Sequence, residues 1–170
     1  MEKLIIIFLV VVVIITIIFN IIMTYSEIIN LNKKIESEIG AIKSLLKEKI
    51  QLIDEFNKYV KVDFDILEKA FELRDEIEIT HDIEDLSRYA FIIKSLINYI
   101  RQSVEINGKE NNFEIRKILL EIDSIDKKLK EHILNLNEYI AEYNEVLKTK
   151  TGEIIRLLSD FNIEKNFVEF

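Results

Sequence analysis

Residues 4–23 read LIIIFLVVVVIITIIFNIIM, twenty positions without a charge, in which only Thr16 and Asn20 carry polar side chains. At about 1.5 Å rise per residue, a helix of that length spans roughly the 30 Å hydrocarbon layer of a bilayer. The run is apolar on every side, so it lacks the polar face that a surface helix of a soluble bundle needs. A secretory signal has an apolar core of about 7–15 residues and ends in a small-residue cleavage site. Here the run is longer and its exit reads IIMTYSEII, with no A-x-A-like pattern. The expectation is a transmembrane anchor over residues 1–24, touching lipid through residues 4–23, and a tethered domain over residues 25–170.

Outward from this run, Lys3 is the one basic side chain before it, whereas Lys33, Lys34 and Lys43 follow it. Basic residues close to a span favour the cytoplasmic side. A single pass with the N-terminus outside and the domain in the cytoplasm is expected.

The remaining chain is long enough for one domain with its own core. The formal charge is −8, and acidic and basic residues are interleaved. This acidic, well-mixed surface argues against nucleic-acid binding, which requires a basic face that displaces phosphate counterions, and against a polybasic clamp on anionic lipid. The absence of Cys removes disulfides, thiol catalysis and thiolate metal sites. With no Pro and only Gly40, Gly108 and Gly152, long helices are expected.

Apolar residues then recur at helical spacing: Ile28, Leu31, Ile35, Ile39, Ile42, Leu46, Ile50, Ile53, Phe56 and Val60. The stripe predicts a long amphipathic helix that continues out of the membrane. Phe64, Leu67, Phe71 and Ile77 extend it, with a break expected at VDFD, residues 62–65, where Asp63 is suited to cap a new helix. A second stripe opens after THDIED, with Thr80 or Asp82 as cap, and runs through Ile83, Leu86, Ala90, Ile93, Ile97, Ile100 and Val104. Its alternating steps of three and four make a coiled-coil-like seam, which Asn107 and Gly108 stop. A third runs through Ile115, Ile118, Ile122, Ile125, Leu129, Ile133, Leu136, Ile140, Tyr143 and Leu147 and ends near TKTG, residues 149–152. A shorter apolar segment follows with Ile154, Ile155, Leu157, Leu158 and Phe161, expected to cap the bundle or to pair with a partner helix rather than to lie on lipid. Ile supplies 34 residues and is only a middling helix former. Stripes this long nevertheless exceed any strand, so period decides for helix. The fold class is therefore all-α: an N-terminal transmembrane helix followed by an antiparallel, up-and-down bundle of three to four long helices.

Two His residues allow metal and acid-base sites to be checked one by one. Di-iron bundles use Glu-x-x-His on two helices. Glu78 and His81 have that spacing at a predicted helix junction, but Leu129 stands three residues before His132, so the second copy is missing. HExxH, P-loop, GxGxxG and GxSxG motifs are absent. Paired carboxylates such as Glu36 with Glu38, or Asp123 with Asp126, read as solvated charge. No catalytic, cofactor-binding or metal-ligating residue is nominated, no small-molecule ligand is identified, and an enzyme is not expected. In LNEYIAEYN, residues 136–144, Tyr143 falls on the apolar stripe, and Asn137 and Asn144 are placed to satisfy partners on a facing helix.

The chain resembles the LemA family. An N-terminal span is followed directly by Tyr25 in YSEIINLNKKI, then by KEKIQLIDEFNKYVK, similar to the family's basic stretch, DLIPNLV and VK, with Leu52 and Ile53 matching. ENNFEIRKILLEIDSID resembles the NF and EL run through Asn112, Phe113 and Glu121. LNEYIAEYN is similar to YNEAVRDYN through Asn137, Glu138, Tyr143 and Asn144. The closing IIRLLSDFNIEKNFVEF resembles the family's II, GF and FE pattern through Ile154, Ile155, Phe161, Phe167 and Glu169. Asp54 stands where the family has Pro, and the family's Pro near the end of the last long helix is also missing, so no kink is carried over from either. The resemblance implies a four-helix bundle in the bacterial cell (inner) membrane with a short external N-terminus, and a molecular activity centred on membrane organisation and the cell envelope. It nominates Tyr25, Asn112, Phe113, Asn137, Tyr143, Asn144, Phe161 and Phe167 as interaction or registry positions. The expected function is interaction or scaffolding through a protein partner or self-association. A membrane-tethered ligand sensor and a metal-dependent bundle enzyme using His81 are the alternatives.

Overall fold

The computed structural model describes residues 2–80, 82–106, 108–109, 112–158 and 165–167. Its described residues form five helices and no strand: α1 (Glu2–Asn57), α2 (Phe64–Ile79), α3 (Ile83–Ile106), α4 (Phe113–Lys148) and α5 (Lys150–Leu158). Among the described residues one segment, inside α1, is long and apolar enough to cross a membrane. The apolar run and the amphipathic stripe from Ile28 therefore belong to one unbroken helix.

The breaks between helices have local chemical causes. After Asn57 the chain tightens through Tyr59 N–H to Phe56 O (3.0 Å), and Asn57 Oδ1 accepts from Val62 N–H (3.0 Å). Asp63 then caps α2, its carboxylate accepting from Asp65 N–H at 3.2 Å. Asp82 caps α3 through Glu84 N–H (2.9 Å), while Thr80 ends α2 and accepts from Asp82 N–H (3.2 Å). At the far end of α3, Gly108 adopts a φ of 62°, and Gly108 N–H and Lys109 N–H reach back to Glu105 O and Val104 O. These are the two bonds of a Schellman cap, whose left-handed residue glycine takes without strain. The expected stop is present through Gly108, and Asn107 lies outside the described residues.

The chain divides into two compact units. One comprises Met1–Glu36 with Glu138–Lys165, the other Ser37–Asn137 with Asn166–Phe170. In the first, α1 buries Ile28, Leu31 and Ile35, α4 buries Ile140, Tyr143 and Leu147, and α5 buries Ile155. In the second, α1 buries Ile42, Leu46, Ile50, Ile53 and Phe56, α3 buries Leu86, Ala90, Ile93, Ile97, Ile100 and Val104, and α4 buries Ile115, Ile118, Ile122, Ile125 and Leu129. The stripes of α1, α3 and α4 thus coincide with the cores, with Ile39, Ile83 and Ile133 only partly covered.

One expectation is corrected in part: of the residues expected to extend the α1 stripe, Ile77 is buried and Leu67 partly covered, but Phe64 and Phe71 are exposed, and α2 buries Ala70 and Leu73 beside Ile77. The break between Asn57 and Phe64 interrupts the helix, so the period of α1 does not carry across it intact. As expected, α4 ends at Lys148, beside TKTG, and Gly152 follows the break. Gly152 lies inside α5, packed so closely that a Cβ would stand 2.1 Å from Val146 O and 2.9 Å from Leu147 Cα. Thr149 makes the break, accepting from Gly152 N–H through Oγ1 (3.0 Å) and from Glu153 N–H through its carbonyl (2.8 Å).

Candidate interaction site

In the first unit, α4 presents consecutive buried residues, Tyr143 on the apolar stripe and Asn144 beside it. Asn144 binds the backbone of Lys165 at both ends of its amide: Nδ2 donates to Lys165 O (3.0 Å) and Oδ1 accepts from Lys165 N–H (3.0 Å). This is the pairing of a short ladder rung, and it fixes the tail segment against α4. The Lys165 ammonium then donates to Asn32 Oδ1 on α1 (2.6 Å) and lies 5.2 Å from the centre of the Tyr143 ring. Asn32 in turn donates to Glu36 Oε1 (2.8 Å). A second cation–ring contact, Lys34 over Tyr139 at 4.8 Å, joins the same two helices.

Burial governs the electrostatics of this node. It pushes the Lys165 ammonium below the usual lysine range, against the opposing pull of the Glu36 carboxylate, and it raises the Tyr143 phenol. A partly desolvated cation held by an amide oxygen and an aromatic face is a clamp, because each partner fixes the geometry of the next. None of these groups is arranged as a nucleophile with an adjacent base.

The second unit is tied by ion pairs. Lys49 is buried, with 3% of its side chain exposed, and meets Asp126 at 2.6 Å. Glu38 meets His132 at 2.6 Å, and Arg101 meets Asp123 at 2.5 Å. Glu78 pairs with Lys47, which holds its carboxyl below the usual range. Of the carboxylates read as solvated, Asp123 and Asp126 each meet a basic residue on another helix while keeping 52% and 42% exposure, and Glu38 meets the His132 ring. Among the described residues no group of three His, Cys, Asp or Glu gathers to hold a metal ion. His81 lies outside the described residues. A cleft of about 530 Å³ opens beside the α1–α2 break, lined by Phe56, Val60, Lys61, Asp63, Phe64 and Tyr99 among others.

The nominated residues separate by role. Tyr143 and Asn144 meet in the Lys165 node. Asn112 caps α4, its Oδ1 accepting from Glu114 N–H (2.9 Å) and Ile115 N–H (3.3 Å), which is ample reason for an Asn there. Phe113 is exposed beside Arg116, Lys117 and Leu120. Tyr25 is exposed one turn before Ile28, Asn137 is half-buried, Phe167 is exposed, and Phe161 lies outside the described residues. Sequence reasoning missed Lys49, Asn32 and Lys165. Lys49 does fall on the apolar stripe, between Leu46 and Ile53, and that placement was a usable signal. Lys165 stands in a segment without periodicity and had none.

In comparisons with known proteins, no protein-family model matches the chain, and no curated protein matches it.

Proposed function

We propose that this chain is a single-pass protein of the bacterial cell membrane whose helical domain is an interaction or scaffolding module without catalytic turnover. The observation that carries the reading is the continuity of α1: the apolar segment, exposed along its length, runs without a break into a helix whose stripe lies in the cores of both units. An anchor built this way holds the domain at a set distance from lipid. The polar contacts support the interaction reading, because they clamp helices together. The domain reads as an up-and-down bundle of the LemA kind on residues 25–170, an assignment that the order of its sequence motifs supports. The N-terminus is outside and the domain cytoplasmic, on the distribution of Lys around residues 4–23.

Chemical crosslinking in intact membranes tests the interaction role. A discrete higher-mass species, either a partner or a second copy of the chain, is the expected result, and recovery of monomer alone across crosslinker lengths would count against it. The ligand-sensing reading has one feature in its favour, the cleft at the α1–α2 break. Its mixed lining of Lys61, Asp63 and aromatic residues selects no ligand class.

A further inference from the structure

The tail helix has two apolar faces, and only one of them is used. Gly152 and Ile155 are buried in the first unit, whereas Ile154, Leu157 and Leu158 are 42%, 83% and 79% exposed. Those three positions are spaced i, i+3 and i+4, so they form one face. Three basic residues, Lys148, Lys150 and Arg156, stand within two residues of this helix or on it against two acidic ones, Glu153 and Asp160, in a chain that is acidic overall.

Its position along α1 follows from contacts within the first unit. Lys34 meets Tyr139, and Asn32 reaches Asn144 through Lys165, so α4 rises in number as α1 falls. Lys148 lies nine residues beyond Tyr139, about 13 Å along the helix at about 1.5 Å each. The end of α4 is thereby level with Tyr25, just past the end of the apolar run. Burial agrees: the covered stripe of α1 continues from Leu31 and Ile28 through Thr24 to Ile21, and Ile21 is the one position of residues 4–23 that is partly covered. Packing of this unit therefore extends into the depth where hydrocarbon gives way to headgroups.

We propose that α5 is an interfacial helix, seating Ile154, Leu157 and Leu158 in the headgroup–acyl boundary of the same bilayer that α1 crosses. This rests on the reading of residues 4–23 as a span. A lipid surface is the occupant at that level, and the flanking Lys148, Lys150 and Arg156 suit anionic headgroups. A short helix so placed fixes the domain's rotation about α1, which a single span leaves free.

The chain has no native Cys, so single cysteines can be labelled cleanly. Ile14→Cys, Leu157→Cys and Leu158→Cys variants of the full chain, carrying an environment-sensitive fluorophore, are reconstituted in phosphatidylcholine–phosphatidylglycerol vesicles. Nitroxide lipids then quench from shallow or deep positions. The expected result is quenching of the labels at 157 and 158 mainly by shallow nitroxides, and of the label at 14 mainly by deep ones. Quenching at 14 without quenching at 157 and 158 overturns the interfacial helix and leaves the span standing. A blue-shifted but unquenched label at 157 means that protein covers this face, and it overturns the proposal equally. Absence of quenching at all three positions overturns the span as well.

Discussion

Asp126→Ala is expected to destabilise the domain by about 2–3 kcal/mol. Removing one partner of a fully buried ion pair costs about 3–5 kcal/mol, because the other charge is left in a medium that cannot solvate it. Lys49 meets that condition with 3% of its side chain exposed, whereas Asp126 keeps 42%, so the lower figure applies. At about 2–4 °C per kcal/mol for a domain of this size, the helical melt followed by circular dichroism in detergent should move down by about 4–12 °C. Two comparisons isolate the cause. Asp123→Ala breaks a more exposed pair with Arg101, 52% and 35% exposed, and should cost less than about 1 kcal/mol. Lys49→Met combined with Asp126→Ala removes both charges while keeping an unbranched side chain on the apolar stripe, and should recover most of the loss. If Asp126→Ala melts with Asp123→Ala, the Lys49 ammonium is hydrated and the buried pair does not hold the helices.

Gly152→Ala is the second large effect, and its sign is what makes it informative. Helix propensity alone predicts a gain, since Ala is better than Gly in a helix interior by about 1 kcal/mol. The added Cβ, however, would lie 2.1 Å from a backbone oxygen and 2.9 Å from a backbone carbon, and backbone does not move aside as a flexible side chain would. The junction of α4 and α5 has to open, so a net loss of about 1–3 kcal/mol is expected, as for overpacked cores. Gly40→Ala is the internal control: it lies inside α1 with nothing within 4 Å of an added Cβ, and should stabilise by about 0.5–1 kcal/mol. Opposite shifts in melting temperature for the two substitutions are the outcome to look for. Matching gains would mean that the close approach at residues 146–152 does not exist.

The contrast between Gly40 and Gly152 also shows where sequence stops being legible. The stripes of α3 and α4 could be read directly, because a core-facing residue every three or four positions is a local pattern. Caps at Asp63 and Asp82 were readable for the same reason: a short acceptor before an acidic first turn acts within a few residues. Phe64 and Phe71 misled because the break between α1 and α2 interrupts the helix, and the period does not carry across it intact. TKTG marked the end of α4, but nothing in it reveals that a backbone carbonyl six residues before Gly152 presses on that glycine. The Lys165 node depends on contacts to Asn144 and Asn32, and the latter is 133 residues away. Long-range pairing of this kind has no periodic signature, so the clamp around Tyr143 and Asn144 could be anticipated only as an unspecified need of a buried Tyr for polar company.

Everything proposed for the domain depends on residues 4–23 remaining attached and embedded. The direct measurement is alkaline carbonate extraction of membranes from bacteria expressing the full chain, with the mass of the recovered protein determined in each fraction. A retained anchor predicts an intact chain of 20.1 kDa in the membrane pellet, released only by detergent. A shortened chain in the soluble fraction would instead make the apolar run a cleaved export signal, and an intact chain extracted by carbonate alone would make it a peripheral helix.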